Sequence, residues 1–428
     1  MEKSSRKIWE HPWGYVEGFI VASGVLLAGL MLQLTLGNID KAAFGFPVNI
    51  IIGALFMVGL LSLHFFLRRK KVVRWLSGVS STIPAISLLL AVIVIMGFTP
   101  QFSDHVSREQ LPPTPLRGLG WYQMTTSWPF VLLCFYMLTI LGLTTLRRTT
   151  KKKGWRDIGF YLNHVGLFLA LLGGMLGSGD MKRYTMSVKE GSVEWRGTDQ
   201  LGQVHELPIA IQLDTFMIEE YPPKLVIIDN QTGRILPADR PEAYMFEGVG
   251  KTTTLAGNQI EILDFMADAA IVRDSNIVNF VHMPMEGATS AIKVRVTHPS
   301  IGQPVEGWVS NGSYIYPYEV LYIDSTKSVA MPVQEVRKYT SKVTVYTKSG
   351  HVRKAEIEVN RPLSIENKVV YQYSYDETRG KYSQVSIFEI VTDPWLAVVY
   401  VGIFMLLAGA LFMFIAGPRQ EATPERCL

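Results

Sequence analysis

A histidine inside an apolar run is the residue of this chain whose type and setting could do chemistry. Residues 158–178 are apolar apart from Asn163, His164 and a few small or hydroxyl side chains. An ionisable group in a stretch long enough to cross a bilayer is expensive, and it points to function. At 1.5 Å per residue His164 lies about 9 Å inside the end of that stretch, too deep for a short imidazole to reach water. On a helical wheel Gly166, Ala170, Gly173 and Gly177 form a narrow small-residue stripe suited to close packing. His164 falls nearly opposite the stripe and shares its face with Phe168, Leu171 and Met175. An imidazole above an apolar wall suits a flat apolar metallocofactor, with the neutral ring ligating iron. The same wheel and depth equally fit an imidazole that hydrogen-bonds a neighbouring helix beside Asn163.

His64 is the other histidine within an apolar run. It stands four residues before Arg68, where an interface can solvate it, and is the minor candidate for ligation. The remaining candidates, His205, His282, His298 and His351, are scattered without metal-ligand spacing and read as surface histidines. No G-x-S-x-G, H-E-x-x-H or Gly-rich phosphate loop occurs beside them.

The elements that position His164 follow from composition. Of 428 residues, 48% are hydrophobic and only 18% are charged, against about 25% charged in a soluble domain. The deficit is confined to six apolar stretches, at about 18–36, 46–66, 82–98, 128–146, 158–178 and 395–416. A wholly soluble enzyme, a coiled coil and a disordered chain are excluded. The first stretch is a poor signal peptide, because no small-residue cleavage site follows it. A net charge of +4 indicates no nucleic-acid partner. The two cysteines, Cys134 and Cys427, cannot build a disulfide framework or a zinc site.

Positive charge sets the expected orientation. One link carries Arg68, Arg69, Lys70, Lys71 and Arg74; another carries Arg147, Arg148, Lys151, Lys152, Lys153 and Arg156. The alternate short links hold only Lys41, Arg108 and Arg117. The basic links are then cytoplasmic, as are both termini with Lys3, Arg6, Lys7, Arg419 and Arg426. The long polar segment before the last span is expected outside, in a bacterial inner-membrane protein. There the period becomes two, as at Ile209, Ile211 and Leu213. Residues 342–347 and 352–359 flank Gly350 as a hairpin, and 225–228, 259–263, 291–297, 368–375 and 383–391 read as strands. The expected fold is a polytopic α-helical membrane protein of about six spans. A large extracytoplasmic, mainly-β domain, a sandwich or open barrel, is inserted before the last span. Four regions follow: 1–80, a two-span extension and basic link; 81–178, a three-span core; 179–392, the β-rich domain; and 393–428, the last helix and tail.

Several motifs resemble those of the ResB/CcsB family of system II cytochrome c biogenesis. They are Thr126-Ser127-Trp128-Pro129-Phe130 opening a span, Leu162 to Phe168 around His164, and Val359-Asn360-Arg361-Pro362-Leu363. Tyr371 to Asp376 and Thr392-Asp393-Pro394-Trp395, with Val399 to Gly402 following, complete the set. The resemblance runs from near the third span to the end; the first two spans lie outside it. It implies a non-autonomous subunit of a cytochrome c haem lyase. His164 would be an axial ligand to the iron of haem b, and membrane lipid would surround the spans. A CcsA-type tryptophan-rich membrane protein would be the partner and apocytochrome c the recipient of haem. The nine tryptophans here are dispersed, so the tryptophan-rich motif of such partners is not matched. Lys182 and Arg183 would meet haem propionates or anchor the helix at headgroups. Two other readings compete. One is a non-catalytic, membrane-anchored scaffold for a respiratory complex with His164 structural. The other is a solute transporter, which the lack of inverted repeats and of acidic residues within spans disfavours.

Overall fold

The structure, a computed structural model, describes residues 9–150, 154–155, 157–274, 277–297 and 303–417. Lys3, Arg6, Lys7, Lys151, Lys152, Lys153, Arg156, His298, Arg419, Arg426 and Cys427 lie outside the described residues. The chain divides into two compact units: Met1–Lys182 with Thr392–Leu428, and Arg183–Val391.

The first unit is helical. Its helices are α1 (Tyr15–Leu36), α2 (Val48–Leu67), a short α3 (Lys71–Leu76) and α4 (Val79–Phe98). A one-turn α5 (Pro115–Gly118) precedes α6 (Trp128–Thr149) and α7 (Asp157–Gly177); α8 (Leu396–Ala416) completes the unit. Six of these, all but α3 and α5, are long and apolar enough to cross a membrane, the pattern of a multi-pass membrane protein. Their ends depart from the expected spans by a helical turn or less. The additions include two acidic residues. Glu17 accepts the Gly14 N–H at 2.6 Å and Asp157 accepts the Gly154 N–H at 2.9 Å. Each carboxylate satisfies an orphan donor at the positive end of its helix, which is why acid is tolerated there.

Glycines set how closely these helices approach. A Cβ on Gly18 would stand 2.3 Å from the Ser80 carbonyl at α4, and one on Gly29 would stand 2.5 Å from Pro129 Cα at α6. So α1 packs on both α4 and α6, and the N-terminal extension is built into the bundle. Arg147 at the end of α6 donates from Nη1 to the carbonyls of Arg74 at 3.0 Å and Ser77 at 3.3 Å. Both basic links therefore lie at one end of the bundle.

The second unit is mainly β. An eight-stranded sheet runs in the order Val352–Glu358, Val336–Thr347, Val204–Glu220, Val193–Thr198, Lys182–Lys189, Val385–Thr392, Lys368–Tyr375 and Leu363–Ile365. Its first and last strands approach each other, with Arg353 donating to the Ser364 carbonyl at 3.2 Å, so the sheet nearly closes into a barrel. Inward residues of alternating strands, Ile209, Ile211, Leu213, Val343, Val345, Phe388 and Ile390 among them, fill one core. Two smaller sheets share another core. The five-stranded one is centred on Asn258–Asp274 and Thr289–Thr297, the four-stranded one on Lys224–Asp229 and Lys327–Ala330. Ile227, Ile262, Val294 and Val329 are fully or almost fully buried between them. The expected hairpin forms across Gly350, whose φ of +85° suits glycine. After Asp376 the chain forms a 3-10 helix, Glu377–Tyr382.

Candidate functional site

His164 sits half-buried in the second turn of α7, one turn above Phe160. Its Nδ1 lies 3.0 Å from the Phe160 carbonyl. A carbonyl only accepts, so the proton is on Nδ1 and the lone pair is on Nε2. The imidazole also stacks on the Phe160 ring, with centroids 3.8 Å apart and planes 26° apart. Arg148 lies over the same phenyl ring, its Cζ 5.4 Å from the centroid, and is held by Asp157 at 2.5 Å. Two contacts thus orient the imidazole, and an ion pair at the head of α7 secures the ring beneath it.

The small-residue stripe lies against α8. A Cβ on Gly166 would stand 2.7 Å from the Gly402 carbonyl, and one on Gly402 would stand 2.6 Å from both Ala170 N and the Gly166 carbonyl. Gly173 faces Val398 and Gly177 faces Trp395. Asn163 belongs to this packed side, against Gly409, and donates to the Gly159 carbonyl at 2.9 Å. It does not serve His164.

Further along α7, Leu171 and Met175 line an apolar cavity of about 620 Å³ bounded mainly by α2, α6 and α7. Phe135, Met137 and Trp128 of α6 also face it. The Trp128 Nε1 proton is buried and has no acceptor among the described residues. His164 is not on the cavity wall. It lies seven residues before Leu171, about 10 Å along the axis.

His64 is elsewhere. Leu60 and Phe168, each one turn from its histidine, both press on Gly142 of α6, so the two histidines occupy similar depths on helices flanking α6. His64 lines a separate pocket at the basic end with Arg68, Arg74 and Arg147. It is only 5% exposed, against the expectation of an interface-solvated ring. The reason is that the chain turns back through α3, whose Val73 packs with Leu60 and Leu143.

At the opposite end a site appears that the sequence reading did not single out. Asp180 accepts hydrogen bonds from the Phe46 N–H at 2.5 Å, Asn49 Nδ2 at 2.7 Å and Trp395 Nε1 at 2.7 Å. One carboxylate therefore ties the start of α2, the end of α7 and the entry to α8. Partial burial opposes its ionisation, but these three donors outweigh it and hold the carboxyl below the usual aspartate range. Asn49, fully buried, also donates to the Leu176 carbonyl at 3.0 Å. A polar residue near the start of a span was the available signal.

The remaining histidines stay apart. His205 pairs with Asp199 at 2.7 Å, and His282 is exposed. His351 meets Ser349 at 2.8 Å through Nδ1 and has Glu366 beside the same nitrogen, so no hydrolytic relay forms. Arg183 pairs with Glu389 at 3.5 Å. Among the described residues, no three His, Cys, Asp or Glu side chains are grouped to hold a metal ion.

Residues 317–386 match the ResB-like family model. The match is consistent with the ResB/CcsB resemblance and supports, at the family level, a role in cytochrome c biogenesis. No curated protein matches the chain. The ResB-like stretch holds two of the sequence motifs, Val359 to Leu363 and Tyr371 to Asp376. It supplies the strands that close the eight-stranded sheet. Within it Ser341 donates to Gln372 Oε1 at 2.6 Å, a buried polar contact between strands far apart in the sheet order. His164 lies outside the matched ResB-like residues.

Proposed function

We infer that this protein is the ResB-type subunit of a haem-exporting cytochrome c synthase. His164 supplies one axial ligand to haem b, and a CcsA-type partner carries most of the attachment to apocytochrome c. The observation that carries the reading is the hydrogen bond from His164 Nδ1 to the Phe160 carbonyl. Metal-ligating histidines are oriented this way: one nitrogen donates to a carbonyl while the other keeps its lone pair. The residues present fit the group. Nε2 would be the ligating atom, and Phe160 supplies an apolar ring against the imidazole. The cavity lined by Leu171 and Met175 begins about 10 Å further along α7 and does not itself adjoin the ligand. Haem, when bound, supplies the iron and the vinyl groups on which thioether formation depends. The chain's own part is to hold the imidazole at a fixed tautomer and angle, and to keep water from the apolar face.

The basic end, with Arg68, Arg74 and Arg147, is assigned to the cytoplasm by the positive-inside rule. On that assignment Arg183–Val391 would lie outside, where it would scaffold the partner or receive apocytochrome c. Against this stands the scaffold reading with a structural His164, favoured by the fact that Phe160 of the same helix meets both the ring and Nδ1.

Co-purification with a CcsA-type partner and an absorption spectrum separate the two. Low-spin haem should be present, diminished in His164→Ala and restored by added imidazole. Unchanged haem content and cytochrome c maturation in that variant would leave His164 structural.

A further inference from the structure

The pocket at the basic end has a volume of about 580 Å³ and lies between α2, α3 and α6. Arg68, Arg69, Arg74 and Arg147 line it together with His64, and among the described residues no carboxylate does. Arg148, the next residue in the chain, has Asp157 at 2.5 Å; the four lining arginines have no acidic partner among the described residues. Four guanidiniums converging on one cavity repel one another, and an anion seated among them would offset that repulsion. Arg147 is held in place by the carbonyls of Arg74 and Ser77, so part of this charge is preorganised.

The pocket is not only a charged surface. Its walls include the buried side chains of Val73 and Leu143. His64, 5% exposed, reaches it from within α2, about 6 Å below the level of Arg68. Phe65 and Val72, next in sequence to lining residues, and Phe66 are exposed and apolar. A soluble anion needs no such surroundings. An anion attached to acyl chains does, because its headgroup and its tails then meet surfaces of matching polarity.

We propose that this pocket binds the phosphate headgroup of an anionic phospholipid from the leaflet at the basic end. His64, Arg68, Arg69 and Arg74 contact the headgroup. The proposal does not depend on haem ligation by His164. A lipid held there would brace α2 and α3 against α6, at the depth His64 and His164 share.

Native mass spectrometry of the purified full-length protein, after reconstitution in phosphatidylglycerol or phosphatidylcholine bilayers, tests this. Phosphatidylglycerol should remain bound, with at least a fivefold loss in Arg69→Gln/Arg74→Gln and little loss in Lys70→Gln/Lys71→Gln, whose residues are equally exposed but do not line the pocket. Phosphatidylglycerol should also raise the unfolding temperature of the wild type, and inorganic phosphate alone should not. Equal loss in both double variants would overturn the proposal, since the link's net charge would then suffice. Equal retention of phosphatidylcholine, stabilisation by inorganic phosphate alone, or retention of haem in place of lipid would overturn it too. Thermal unfolding of the Arg69→Gln/Arg74→Gln variant without lipid checks that it is folded.

Discussion

Asp180 does at the residue scale what no hydrophobic contact can do: it gives three donors, two at the start of α2 and one at the entry to α8, one common acceptor. Its folded pKa lies below its unfolded value, so its contribution is complete above the ordinary aspartate value of about 3.9. That contribution is lost as pH falls through the lower, folded value. Asp180→Asn turns an amide N–H₂ toward donors and should lower stability by about 1–3 kcal/mol at neutral pH. The loss would be read as a lower unfolding temperature in detergent. Below the aspartate range the gap between variant and wild type should narrow; a gap constant with pH would refute the assignment. His164 was legible in the sequence because an imidazole in an apolar run is anomalous wherever it sits. Asp180 was not, since Asn49 is 131 residues away and its pairing is written in no local pattern.

At the scale of elements, α7 is defined by its two faces. The small-residue stripe predicted close packing, and packing against α8 is what it does, with Gly402 and Gly409 completing the surface from the other side. Between apolar helices in an apolar solvent, close backbone approach is the main source of association. Gly402→Leu should therefore fail, because the clash is with backbone atoms of Gly166 and Ala170 that cannot swing aside. Gly59→Ala, with nothing within 4 Å of the added carbon, should be neutral or mildly stabilising. Thermal unfolding of the two variants side by side checks the contrast; similar behaviour would mean the α7–α8 contact carries little energy. The spans and the longer strands were legible because hydrophobic period is local. Short strands such as Leu321–Tyr322 and Ala243–Met245 were not, since two or three residues cannot display a period.

At the scale of the molecule the chain is two units with separate cores, and the second begins and ends on neighbouring strands, Lys182–Lys189 and Val385–Thr392. A segment whose ends are adjacent and whose cores are internal should fold when excised. Arg183–Val391 alone is expected to give a β-rich circular dichroism spectrum and one or two cooperative unfolding transitions. An aggregated or non-cooperative product would mean its cores depend on the helices. By itself the sequence determined which stretches prefer lipid to water, the change of period from helix to strand, and the one imidazole set against that preference. These depend on residue type and spacing along a few turns of chain. Only the tertiary structure decided that α3 folds over His64 beside four exposed arginines, and that Asp180 gathers three helix ends. Such partnerships depend on how side chains close upon one another in space, and distance along the chain carries no record of that.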